Sequence, residues 1–378
     1  MKPLTRLAHI ISLALLLAVP AGMAQEQITE MPFFITFVPN IQFSPLYVAI
    51  EKGYFAEAGF NFVPQHGDEP DGVNLIAADQ IKFGFISGEQ VILARANDRP
   101  LVFVYEWFQE FPVGVVVPDD SDIDTVEALA GRKVGIPGRF GASYSGLVAL
   151  LAAAGMTEDD IQLEPIGFNA PEVVCMGGVE ASVIYVNNEP LQIQRRAQAG
   201  DCGSIRGVRV IPVASMVDMI SNGIVTNAAT IENDPQLVQA VVSGFDRALR
   251  DVINNPAEAF LLSSSYVEGL VDDELAEALA AEAAYQAEFL AGHPDREAVA
   301  ESRAAMRARL NDQLGSDALV QFDVLLNTID LWDADRLGLT NLEAWETTQD
   351  VLLLMGFLEA PIDLNEAFTN AFVEQLEG

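Results

Sequence analysis

The sequence predicts an α/β fold in two lobes, completed by a C-terminal helical layer. Three observations predict it. Short β-branched or aromatic runs alternate with apolar runs of helical period from Ile28 to Val213, the pattern of strand–helix–strand units around mostly parallel sheets. The alternation restarts after Asp119-Asp120-Ser121, so two α/β units follow one another. Beyond Asp234 the strand runs cease, and apolar residues recur at helical spacing in alanine-rich segments.

In chain order, Ile28–Val38 reads as a strand. Pro39–Ser44 is a loop, with Ser44 placed to cap a helix that opens on Pro45 and stops at Gly53. Phe60–Val63 is a strand, Gly72–Ala78 a helix and Phe83–Ile86 a short buried strand. A helix over Gln90–Asn97 and strands over Leu101–Trp107 and Phe111–Val117 follow. In the second unit, Val126–Ala130 is a short helix and Lys133–Ile136 a strand. The Gly-rich loop Pro137–Ser143 leads into a helix over Tyr144–Ala154 that Gly155 ends. Strands over Ile161–Ile166 and Ala181–Tyr185 alternate with helices over Pro171–Met176 and Pro190–Ala199, and Val208–Val213 closes the unit. The last third carries helices over Asp234–Asn255, Asp272–Ala291, Asp295–Asn311 and Leu342–Met355. Lobe 1 is therefore expected over 25–117 and 214–378, and lobe 2 over 118–213, with a ligand-sized cleft between them.

The 378 residues carry 20 Lys+Arg against 55 Asp+Glu, a net charge of −35, which excludes a nucleic-acid partner and disfavours an anionic ligand. Half the residues are hydrophobic, so the acidity does not signal disorder. Lys2 and Arg6, the apolar run Leu7–Val19, and Gly22 and Ala24 at small-residue positions read as a secretory leader over 1–24. The other reading is an uncleaved anchor. Cleavage after Ala24 removes two cations and no acid, leaving about −37. The expected product is an extracytoplasmic or periplasmic monomer without a lipid-anchoring Cys. Cys175 and Cys202 suggest a disulfide in an exported chain, the alternative being two buried thiols. His66 and His293 lie in no ligand-like spacing, so no metal is expected, and no cofactor.

Several segments together resemble type 2 periplasmic binding proteins, in the branch serving sulfonates and thiamine-pyrimidine precursors. They are Phe43–Ala49 with Glu51–Phe55 and Ala58-Gly59, Ile81–Phe85, and Leu129–Pro137. Val179–Tyr185 with Asn187–Pro190, and Leu342–Glu346 with Met355–Leu358, are similar to its riboflavin- and pyrimidine-binding subgroup. The order and spacing of these segments carry the resemblance, which covers most of the chain. It implies a Venus-flytrap fold and a solute receptor that delivers its ligand to an ABC permease and ATPase and catalyses nothing. A sulfonate- or nitrate-type receptor and a ligand sensor without transport remain alternatives. The family's pyrimidine-forming enzymes use a histidine, a lysine-bound pyridoxal phosphate and a Cys-rich motif, and this chain has no Cys-rich run.

Three loops offer cleft chemistry. Trp107 and Phe108 follow a strand and either sandwich a planar ring or fill the core. Gly141 and Ser143 lie in the Gly-rich loop that ends at Tyr144 and a helix N-terminus, where free amides face a ligand, or the loop is a plain strand–helix turn. Tyr185, Asn187, Asn188 and Glu189 supply the paired donors and acceptors that a heterocycle requires, Glu189 alternatively capping its helix. The resemblance adds Asn40, Gln42 and Glu89 in lobe 1, and Asn222 lies past the second crossing. Aromatics with neutral amides favour a planar heterocycle, an aminopyrimidine or a flavin, over a sulfonate that needs convergent positive charge.

Overall fold

In the computed structural model, which describes residues 28–376, two five-stranded sheets form the frame. The expected leader over 1–24 lies outside the described residues. The chain first lays down β1 (Thr29–Ile35), α1 (Ser44–Glu51), β2 (Phe60–His66), α2 (Glu69–Ala77), β3 (Phe83–Ser87), α3 (Gly88–Ala96) and β4 (Leu101–Glu106). A second run follows as β5 (Val113–Pro118), β6 (Lys133–Ile136), α4 (Gly141–Ala153), β7 (Gln162–Pro165), α5 (Ala170–Cys175), β8 (Ala181–Tyr185), α6 (Glu189–Ala199) and β9 (Val208–Pro212). Then come β10 (Asn222–Asn227), α7 (Ala228–Asn233), α8 (Pro235–Asn254), α9 (Pro256–Ser263), α10 (Asp273–Leu290), α11 (Arg296–Leu314), α12 (Val320–Trp332) and α13 (Leu342–Leu354).

The strand orders are β2-β1-β3-β10-β4 and β7-β6-β8-β5-β9. Within each sheet the first neighbours are parallel, but β10 runs antiparallel to β3 and β4, and β5 antiparallel to β8 and β9. This departs from the mostly parallel sheets expected. Each reversed strand is the one on which the chain arrives from the other lobe, with no crossover helix of its own sheet before it to impose a parallel direction. The expected break after Val117 is also displaced. β5 pairs inside the second sheet, so the chain crosses between Glu106 and Val113 and returns between Pro212 and Asn222. The run Val113–Val117 is apolar throughout, so its pattern says only that it is buried on both faces.

Ser44 lies inside α1 rather than capping it. Asn40 instead caps the preceding turn, its Oδ1 accepting from the Gln42 N–H at 3.0 Å. α8 buries Val238, Val241, Val242, Phe245, Leu249 and Val252 at three- and four-residue spacing against the first lobe, as the helical period requires. α9 and α12 were not anticipated. α12 joins the first-lobe core through Phe322, Leu325, Ile329 and Trp332. α13 spans both lobes, with Trp345 and Leu352 in a first-lobe cluster and Val351 among the side chains packed around α4. Cys175 and Cys202 are disulfide-bonded and tie the end of α5 to the turn after α6.

Candidate functional site

The ends of β1, β3, β4 and β8 and the start of α4 meet across a cavity between the two sheets, the position that strand C-termini favour for a ligand. About 70 Å³ of it is open to the centre of a water-sized sphere, so the lobes stand nearly closed. The first lobe contributes Gln42, Phe43, Glu69, Phe85, Trp107, Phe108 and Asn222. The second contributes Phe140, Gly141, Ser143, Phe168, Tyr185 and Glu189, among others. Among the described residues, no lysine, arginine or histidine lines it.

The wall is built from stacked rings. Trp107 lies on Phe85 at 4.4 Å between centroids and 27° between planes, with Phe108 edge-on at 4.7 Å and Trp332 behind at 5.4 Å. Phe37 and Phe168, one from each lobe, meet edge-to-face at 4.8 Å and line the cavity. The Tyr185 hydroxyl donates to Asn222 Oδ1 at 2.8 Å and so joins the lobes within the cavity. The Tyr185 N–H donates to Glu189 Oε2 at 3.0 Å, which fixes the turn into α6. Burial pushes the Glu189 carboxyl up to about 7 despite those N–H bonds. Gly141 has φ +67°, and a Cβ there would stand 2.2 Å from Glu69 Oε2, so only glycine fits.

Of the expected site residues, Gln42, Trp107, Phe108, Gly141, Ser143, Tyr185, Glu189 and Asn222 line this cavity. Five do not. Asn40 and Asn188 line an outer groove that shares Phe37, Phe168 and Glu189 with the cavity, and Asn188 Oδ1 is occupied by Gln192 Nε2 at 2.7 Å. Glu89 and Tyr144 line a pocket on the far side of Phe140 and Gly141. Tyr144, one turn past the start of α4, points its hydroxyl to Glu158 at 2.5 Å. Asn187 is buried and donates from Nδ2 to Thr328 Oγ1 at 2.7 Å, which pins lobe 2 to α12 instead of facing a ligand.

Glu69, Phe85, Phe37 and Phe168 were missed. Glu69 opens a helix, where an acid is ordinarily read as complementing the helix dipole. Nothing in the sequence links it to Ser87, eighteen residues later. Ser87 donates to Glu69 Oε1 from its backbone N–H at 2.7 Å and from its hydroxyl at 2.6 Å, and the hydroxyl also contacts Glu89 Oε1. Burial raises both carboxyls, Glu89 to about 8 with the neighbouring Glu69 charge adding to the effect.

The family described as NMT1/THI5 like matches residues 40–259. The riboflavin-binding protein RibY of Chloroflexus aurantiacus is 32% identical over 364 residues, spanning 94% of this chain and 89% of that protein. A 4-amino-5-hydroxymethyl-2-methylpyrimidine phosphate synthase of Aspergillus parasiticus is 27% identical over 60% of this chain and 68% of its own. The solved periplasmic sulfonate-binding protein SsuA from Methylobacillus flagellatus KT shares the fold, with a TM-score of 0.57 at 13% identity over 92% of this chain and 93% of that one.

Proposed function

The chain belongs to the NMT1/THI5-like family, and on that premise we propose that it is a solute receptor that closes two lobes on a planar heteroaromatic molecule of the flavin or aminopyrimidine class. The observation that carries this reading is the cavity wall: stacked aromatic rings, the amides of Gln42 and Asn222, the carboxyls of Glu69 and Glu189, and no cation. Ring faces take a flat π-system, and amides and carboxyls take its edge donors and acceptors. The name of the relative RibY supports a flavin-like ligand. Delivery to an ABC permease and ATPase, export by the leader over 1–24, and a monomeric state belong to the same reading. The fold neighbour SsuA supports the first of these. No helix among the described residues is long and apolar enough to cross a membrane.

A sulfonate receptor would need positive charge converging on the anion, and this wall offers carboxyls in its place. The synthase relative carries an enzymatic reading, which a lysine in the cavity would favour. Lys52 and Lys82 are instead engaged in ion pairs with Asp251, Glu258 and Asp79, and Lys133 is exposed. Titration of the purified protein with riboflavin by flavin fluorescence, and with 4-amino-5-hydroxymethyl-2-methylpyrimidine by calorimetry, tests the proposal. One-to-one binding of either is expected. Tight binding of an alkanesulfonate with no response to either heterocycle would overturn it.

A further inference from the structure

Ser87 Oγ carries one hydrogen and lies within bonding reach of two carboxyl oxygens, Glu69 Oε1 and Glu89 Oε1. A second hydrogen must therefore come from one of the carboxyls. Glu69 Oε1 already accepts the Ser87 backbone N–H, so it is surrounded by donors. Glu89 Oε2 is buried without any partner, and an ionised Glu89 would leave that charge uncompensated. The chain of bonds thus runs from Glu89 Oε1–H to Ser87 Oγ, and from Ser87 Oγ–H to Glu69 Oε1.

Glu69 Oε2 is left over. It packs against Gly141 of the other lobe, where the missing side chain leaves it room, and Glu69 lines the cavity. A second observation in the same wall points to a ligand. The indole N–H of Trp107, 1% exposed, has no partner. A free acceptor and a free donor in one wall complement a ring edge that offers both an N–H and an acceptor atom. Glu189 and Tyr185 face this group from lobe 2, and Arg139 lines the pocket behind Glu89, where it is paired with Glu158.

We propose that Glu69 is the acceptor that reads an N–H of the bound heterocycle, held ionised because Glu89 keeps the proton that the pair shares. Glu89 is the positioning residue and Glu69 the specificity-determining one. The proposal rests on the receptor reading above, and its test separates the two.

Infrared difference spectra of ligand-free protein at neutral pH locate the proton. Glu106 and Glu189 are raised as well, so each variant is compared as a difference from the wild type: a protonated-carboxyl component is expected to be lost in Glu89→Gln and none to be lost in Glu69→Gln. Loss of a component in Glu69→Gln, or none lost in Glu89→Gln, overturns the proton placement. Riboflavin, whose imide stays neutral between about pH 5 and pH 8, then probes the acceptor. Wild-type affinity should fall toward acid, by up to tenfold per pH unit once Glu69 is protonated. Glu69→Gln should bind at least tenfold more weakly at pH 8 and lose the acid limb. 3-Methylriboflavin, which lacks the imide hydrogen, should bind the wild type at least tenfold more weakly than riboflavin and Glu69→Gln about as well as riboflavin does. Equal wild-type affinity for the two flavins, or a flat acid limb, overturns the assignment of Glu69. Failure of riboflavin to bind the wild type at all overturns the flavin form of the receptor reading. The assignment of Glu69 is then tested by the loss of affinity for 4-amino-5-hydroxymethyl-2-methylpyrimidine in Glu69→Gln at pH 8, read by calorimetry, and the infrared result stands independently of either ligand.

Discussion

Trp107 sits where the core of the first lobe becomes the wall of the cavity. It is stacked on Phe85, backed by Trp332 and flanked by Phe108, yet it lines the cavity. Removing its N–H and removing its ring are therefore different experiments. Trp107→Phe keeps a ring on Phe85 and deletes the unpartnered donor. Ligand affinity should fall about tenfold, the scale of one hydrogen bond, with little change in melting temperature. Trp107→Ala should in addition destabilise the fold by about 3–5 kcal/mol, as large cavities in cores do. Fluorescence titrations alongside thermal melts check both, and wild-type affinity in Trp107→Phe would leave the indole with a packing function alone. Which loops approach the cavity was legible in the sequence, because ligand-facing positions follow strand ends and helix starts. Which side chain of a loop turns inward was not. Ser143 and Tyr144 are adjacent at the start of one helix, yet Ser143 lines the cavity and Tyr144 the pocket behind it. Asn187 and Asn188 are adjacent, yet one pins α12 and the other bonds Gln192. Glu69 escaped because an acid in a first helical turn has an ordinary explanation that needs no cavity.

At the scale of elements, most helices and strands follow from period and punctuation. β8 spans the residues expected of it, and α6 ends with Gly200 in the left-handed conformation (φ 82°). The partners of β5 and β10 do not follow, because an all-apolar run can pair in either sheet and only the path of the chain between lobes decides. The disulfide joins the end of α5 to the turn after α6, two elements that share one small cluster with Val116, Ile193 and Ile205. That cluster is modest, so the covalent tie matters to it. With 27 residues of separation, loop closure in the unfolded chain contributes roughly 3–4 kcal/mol. Cys175→Ala combined with Cys202→Ala should lower the urea midpoint accordingly while leaving the cavity wall intact, since neither cysteine lines it. Unreduced, denatured wild-type protein should show no titratable thiol. Two thiols there, or an unchanged midpoint in the double variant, would contradict the expectation.

For the whole molecule, the acids behind the net charge of −35 are not all alike. The fold divides the acids into two populations. Most are exposed and ordinary, but Glu69, Glu89, Glu106 and Glu189 have buried carboxyls. All four are raised, with burial as the largest cause: Glu89 and Glu106 to about 8, Glu189 to about 7. A carboxyl raised by folding stabilises the native state fully below its unfolded value of 4.5, and that contribution is lost as pH climbs through the folded value. Stability of the ligand-free protein should therefore decline between about pH 5 and pH 8, the opposite of the usual behaviour of ion-paired acids. Repulsion among the surface acids bends the curve in the same direction, but salt screens it. The buried groups are screened far less. Thermal melts across that range at high salt isolate them. Glu106→Gln, which is not among the residues lining the cavity and is bonded to Thr340, should flatten the decline without abolishing it, because three raised carboxyls remain. A melting temperature that is constant or rises from pH 5 to pH 8 at high salt, or an undiminished slope in Glu106→Gln, would mean that these carboxyls are solvated more than the closed lobes allow, and that the resting molecule is open.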